Sequence, residues 1–391
     1  MTHLRGPARH LAQALTIPLL LAGAAAGTGP AAASAAACQA WTGLQPPNPA
    51  DDLNRFYGVA VLSPCDAWAV GSDEDSGGLE QALTEHWDGS AWTVVPSPNV
   101  AGRNNQLNAV RADSVTDIWA VGESFSTGAD QTLILHWNGH TWTQVASPTP
   151  GTGAALNAVR TVSATDAWAV GFFDNGTADV PLILRWNGQT WAQLASPHPG
   201  TFGALDAVAA TSASNAWAVG TFFNGTADQG FILHWNGTKW AQVAIPNPGG
   251  PTRDTFLNGV AAGAGSGKAW AVGAYNNGTT DKTLILTWTG TKWAQQASPT
   301  PGSSALDSVA TTAADNTWAV GAYKNSTIVA SLILHWNGTK WAQVGSPNPS
   351  PTSNFLFAVA ASSASNAWAV GRFTDDSGPT TVDKTFAIHC C

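Results

Sequence analysis

The phrase Trp-Ala-Val-Gly occurs seven times, at Trp68, Trp119, Trp168, Trp217, Trp270, Trp318 and Trp368, at intervals of 48 to 53 residues. A fixed period of that length confines a chain to solenoids, propellers or arrays. The segments around each copy alternate apolar and polar residues, which makes each repeat a set of strands rather than helices. In the second repeat Leu107–Arg111 reads as strand a, Ile118–Gly122 as strand b, Thr132–Trp137 as strand c and Thr141–Val145 as strand d. Asn138-Gly139 between c and d is a two-residue hairpin turn whose backbone needs positive φ. Ser147-Pro148-Thr149-Pro150-Gly151 then ends pairing and carries the chain to the next unit.

The expected fold is therefore all-β: a seven-bladed β-propeller of four-stranded antiparallel blades over residues 38–391. All twenty tryptophans sit at repeat positions on strands b, c and d. Strand alternation puts Trp168 and Val170 on one face and Ala167, Ala169 and Gly171 on the other. A bulky face meeting a small one lets neighbouring blades interlock, so the tryptophans read as packing rather than as sugar platforms.

The seventh repeat stops after Phe386-Ala387-Ile388-His389, and its missing strand d stands at the other terminus as Cys38 to Leu44. The ring is expected to close by that N-terminal strand completing the C-terminal blade. Aligned on repeat two, Cys391 falls on Asn138, Cys38 on Gly139 and Trp41 on Trp142. A Cys38–Cys391 disulfide is expected to staple this hairpin, with Cys65–Cys390 as the second bridge, although four cysteines allow three connectivities.

Residues 1–37 have the order of a secretory signal peptide: Arg5 and Arg9, an apolar stretch from Leu11 to Leu21, then small residues. An extracellular, monomeric protein is expected, with a lipoprotein anchored at Cys38 as the alternative. No other stretch approaches the length of a membrane span. The formal net charge is −9 and no run of Lys or Arg occurs, which argues against nucleic acid as a partner.

The chain resembles known propeller families. Trp87-Asp88 and the Trp-Asn pairs elsewhere resemble the dipeptide of WD repeats, without that family's Gly-His and with a longer period. The strand plan is similar to kelch repeats, with the Gly-Gly doublet reduced to Gly122, Gly171 or Gly220. His-Trp-Asn-Gly-Thr-Lys-Trp (234–240 and 335–341) resembles secreted Trp-rich propeller repeats of filamentous soil bacteria. The resemblance implies a fold and leaves activity open.

Two sets of residues are candidates for ligand binding. One lies on the b–c loops: Phe125, Phe173, Phe223, Tyr275, Tyr323 and Phe373, followed by Asn, Gly, Thr and Asp. Aromatics beside amides and carboxylates suit a sugar, stacking on its apolar face and bonding its hydroxyls; packing of these rings against the blade is the competing expectation. The other set is Asn108, Asn157, Asp206, Asn258 and Asp307 at the start of strand a, which with Tyr57 and Phe357 would ring the channel mouth and hold ordered water. The recurrent histidines, His86, His136, His234, His335 and His389, lie too far apart to share a metal, and the Asx residues Asp66, Asp117, Asp166, Asn215 and Asn366 read as caps of the a–b turns. No metal, cofactor or catalytic residue is expected. The expected function is a non-catalytic module recognising glycan or cell-envelope polysaccharide, with a protein-interaction scaffold as the alternative and a secreted polysaccharide hydrolase or lyase third.

Overall fold

The computed structural model describes residues 40–263, 267–325, 327–378 and 380–390. The expected signal peptide, Cys38 and Cys391 lie outside them. Seven four-stranded antiparallel sheets follow one another around the ring. Blade 2, for example, runs Asn104–Ser114, Asp117–Phe125, Gln131–Trp137 and Trp142–Gln144. Among the described residues there is no helix long and apolar enough to cross a membrane.

The ring closes as the sequence requires. Blade 7 consists of Asn354–Ser363, Asn366–Asp375, Val382–Cys390 and, as its outer strand, Thr42–Leu44. The register Thr42↔His389 repeats Thr143↔His136 of blade 2. Blades 7 and 1 are tied further by Asp383, whose carboxylate accepts Arg55 Nε at 2.7 Å from blade 1 and Arg372 Nη1 at 2.5 Å from blade 7.

Tryptophan forms the joint between blades. Each strand-d indole meets the strand-b indole of the preceding blade edge to face: Trp142–Trp68 at 5.4 Å, Trp191–Trp119 at 5.3 Å, Trp240–Trp168 at 5.1 Å, and so on around the circle. The seam keeps the pattern, with Trp41–Trp318 at 5.2 Å and Trp92–Trp368 at 5.0 Å. Such pairs add about 0.5–1.5 kcal/mol each beyond area burial. Trp119 and Val121 share a cluster with Ala167 and Ala169 of the next blade, so large faces meet small ones. No tryptophan is exposed.

The glycine that ends each Trp-Ala-Val-Gly phrase has a steric cause. Strand a carries a β-bulge opposite it, between Leu107 and Ala109 in blade 2 and between Leu156 and Ala158 in blade 3. The bulge presses a carbonyl against the glycine: a Cβ on Gly122 would lie 1.9 Å from Gln106 O, and one on Gly171 2.0 Å from Ala155 O. No larger residue fits. The bulged residue leaves the ladder, and its side chain is turned toward the central channel.

Candidate functional site: the channel and its rim

The bulged residues are Tyr57, Asn108, Asn157, Asp206, Asn258, Asp307 and Phe357. The first six line one small cavity of about 120 Å³ at the channel mouth, so the structure brings this expected set together. The amides are already engaged. Asn108 Nδ2 donates to Leu156 O at 2.9 Å, Asn157 Nδ2 to Leu205 O at 3.0 Å and Asn258 Nδ2 to Leu306 O at 3.2 Å. Each bond links one bulge to the backbone just before the next, forming a belt around the mouth. Tyr57 and Phe357 fill the remaining arc, 5.7 Å between centroids. Below this ring Val59, Val110, Val159, Val208, Val260, Val309 and Val359 narrow the channel, and a larger cavity of about 630 Å³ opens beneath them toward the a–b turns.

The loop aromatics do not form one set. Phe173, Tyr275, Tyr323 and Phe373 stand five residues after the strand-b tryptophan, whereas Phe125 and Phe223 stand six after it. Strand alternation therefore sends the two groups to opposite faces. Phe173, Tyr275 and Tyr323 pack against the inter-blade core, and Phe373 is part of it, 6.2 Å from Phe386. None of the six is exposed. The aromatic that lines a rim cavity is Phe172, one residue before the expected Phe173. It borders a cavity of about 210 Å³ between blades 2 and 3, with Asp130, Thr152, Asp174 and Asp179. Phe202, at the start of blade 4, is 43% exposed and pairs in register with Phe223. Phe172 was hidden in the sequence by Phe173 beside it. The spacing from Trp168 was the signal that could have separated them.

The histidine series is structural, as its radial spacing implies. His86 Nε2 meets Asp66 at 3.0 Å, His136 meets Asp117 at 2.7 Å, and His234, His335 and His389 each meet an asparagine at 2.7 Å. Each imidazole also lies over its blade's strand-b indole, with centroids 4.0–4.6 Å apart. Arg185 replaces histidine in blade 3, bonded to Asp166 at 2.8 Å and 4.6 Å over Trp168. Burial holds His234, His335 and His389 below the ordinary imidazole range. Asp66, Asp117, Asn215 and Asn366 thus orient histidines and Asp166 orients Arg185, while Asn215 and Asn366 also span the a–b turn by donating Nδ2 to Thr211 and Ser362. The caps are serines: Ser63, Ser114, Ser163, Ser212 and Ser363 accept the amide two residues on.

The expected Cys65–Cys390 bridge does not form. Cys65 is a free, exposed thiol, which rules out all three two-bridge connectivities. The reason is local: each a–b turn folds onto the c–d hairpin of its own blade. A Cβ on Gly89 would lie 2.8 Å from Cys65 Cβ. Cys390 is fully buried on strand c of blade 7, where blades 1 to 6 place tryptophan. The expected Cys38–Cys391 pair lies outside the described residues.

Three charged residues absent from the expected site interrupt the repeat. Glu85 is fully buried in strand c of blade 1, and neither carboxylate oxygen has a hydrogen-bond partner. Burial, reinforced by Asp73, pushes its carboxyl up to about 8. Arg111 and Arg160 line the lower channel cavity. Among the described residues no group of three His, Cys, Asp or Glu is placed to hold a metal ion.

No family model matches the chain, and no curated protein is similar to it. Solved structures share its fold. YCF48 bound to D1 peptide superposes with a TM-score of 0.57 at 14% identity, over 91% of this chain and 100% of that one. An ulvan lyase of a polysaccharide lyase family, bound to -[GlcA(1-4)Rha3S]-, gives 0.54 at 10% identity, over 83% and 90%. A xyloglucanase from Xanthomonas campestris gives 0.54 at 14% identity, over 88% of this chain and 55% of that one. At these identities the likeness establishes the propeller alone.

Proposed function

We propose that this chain is a secreted, non-catalytic binding propeller that takes a polysaccharide across the rim formed by its b–c and d–a loops. The observation that carries the reading is the rim cavity between blades 2 and 3. There the Phe172 ring stands beside the carboxylates of Asp130, Asp174 and Asp179 and the hydroxyl-bearing Thr152. A sugar presents an apolar face to such a ring and hydroxyl donors to carboxylate oxygens. A cavity of about 210 Å³ is small for a drug-sized ligand, and suits one sugar of a longer chain. The exposed Phe202 on the same rim supplies a second apolar contact one blade further on.

The test is a glycan array with the purified protein, followed by titration calorimetry on the best ligand. Phe172→Ala is expected to weaken binding at least tenfold with an unchanged melting temperature. Tyr275→Ala, whose ring packs inward, is expected to lower stability before affinity. If no glycan binds, or if Phe172→Ala binds as well as wild type, the rim reading fails and a protein partner takes its place. Release of reducing or unsaturated ends from a bound polysaccharide would overturn the non-catalytic part.

A further inference from the structure

The residue after each channel valine lies opposite the strand-b tryptophan, and around the ring it reads Ala60, Arg111, Arg160, Ala209, Ala261, Ala310 and Ala360. Four of the five alanines, Ala209, Ala261, Ala310 and Ala360, border the lower cavity and leave it open. The two arginines fall on adjacent blades and border that space. The Nε of each is shielded from solvent and has no hydrogen-bond partner. The ion pairs of the described residues are made by other side chains. Asp113, whose field reaches both guanidiniums, is itself exposed to solvent.

Two like charges on adjacent blades, partly withdrawn from water and without an ion-pair partner among the described residues, repel each other and are costly to keep. Burial, followed by the charge of Arg160, pulls the Arg111 guanidinium down to about 9. A chain of net charge −9 that keeps two cations inside its channel is using them for something other than surface solubility.

We propose that Arg111 and Arg160 form an anion site that holds a divalent oxyanion of the phosphate or sulfate class in the lower channel. Each guanidinium presents parallel N–H donors in a rigid fork, and a tetrahedral oxyanion can accept from two forks along two of its edges. Its two negative charges match the two positive ones. The alanine walls give room on the other sides, and the valine ring separates this site from the channel mouth and the rim. The site is therefore independent of the polysaccharide reading.

Titration calorimetry at constant ionic strength tests it, with sodium sulfate, sodium phosphate and a monosaccharide sulfate ester each balanced against chloride. Sulfate and phosphate are expected to bind with one site per chain. Arg111→Ala and Arg160→Ala each introduce the residue that five blades already carry, so both are expected to fold. Each should weaken binding at least tenfold, the double variant should abolish it, and Arg111→Lys, which keeps the charge and loses the fork, should weaken it to an intermediate degree. Tight binding of the ester alone assigns the site to a group on a larger ligand; binding of the inorganic ions assigns it to a free anion. Oxyanions binding no better than chloride, or a double variant that binds like wild type, sinks the proposal.

Discussion

Glu85→Leu should make the protein more stable, and by an amount that grows with pH. In the register of the other blades the equivalent residues are Leu135, Leu184, Leu233, Leu286, Leu334 and Ile388, each fully buried opposite the alanine of Trp-Ala-Val-Gly on strand b. Glu85 stands there opposite Ala69. Its carboxyl titrates near 8 in the folded chain against 4.5 as its ordinary value, because burial disfavours the charged form. A carboxyl raised in the fold gives its full stability below the unfolded value and loses it as pH rises through the folded one. Each pH unit within that window costs about 1.4 kcal/mol, so wild type forfeits about 3 kcal/mol by pH 7 and about 5 above pH 8. A leucine removes that loss and adds roughly 1.5–3 kcal/mol of apolar burial. Unfolding entropy of about 2 cal/mol/K per residue converts a gain of about 5 kcal/mol at pH 7 into about 7 °C. Scanning calorimetry of both proteins at pH 5, 6, 7 and 8.5 reads the difference directly. Asp73 titrates near 6 and is present in both, so it cancels to first order. A gap that stays constant from pH 5 to 8.5, or a leucine variant less stable at pH 8, would refute the reasoning.

Other perturbations test the joints. Gly122→Ala places a methyl against Gln106 O and is expected to cost more than 3 kcal/mol or abolish folding, read by circular dichroism and melting temperature. Trp41→Ala removes the outer indole that seats on Trp318 at the seam and is expected to cost about 3–5 kcal/mol, comparable to Trp142→Ala within the ring. Equality of the two would show that the terminal strand packs as fully as a covalently connected one. Cys65 is expected to react with a thiol reagent in the native protein, and Cys65→Ser to leave the melting temperature unchanged.

The fold was legible because the repeat supplies seven readings of the same information. Trp168 alone says little. Seven tryptophans in one recurring phrase, six of them followed by a glycine shown to have no room for a larger residue, define the strand, its bulge and the blade interface together. The missing strand d showed itself as a gap at one end and a surplus at the other. The channel belt was also legible, because Asn108, Asn157 and Asn258 recur in phase. Phase was lost in the b–c loops, where a one-residue difference moves a ring to the other face; Phe125 and Phe173 look equivalent in sequence and are not. The Cys65–Cys390 pairing failed for a related reason. Which turns share a rim can be read from topology, but which turn touches which depends on the fold-back of each a–b turn onto its own hairpin, and that puts Cys65 beside Gly89.

In a repeat protein the uniform positions explain stability, and the exceptions are where selection for something else can be seen. Each exception here replaces a residue that five other blades hold constant, so the cost of each is measurable against an internal control. Glu85 stands in for leucine without a hydrogen-bond partner, and Arg111 and Arg160 stand in for alanine without a salt bridge. Drift toward the repeat's own consensus would remove both at a gain in stability. The arginines open onto a cavity and the glutamate does not. This difference separates them: reverting Arg111 and Arg160 to alanine should stabilise the chain and take away a ligand, whereas reverting Glu85 to leucine should stabilise it and leave every ligand in place. A Glu85→Leu protein that lost glycan or oxyanion binding would show that blade 1 takes part in recognition, and that the channel and rim are not the whole of the site.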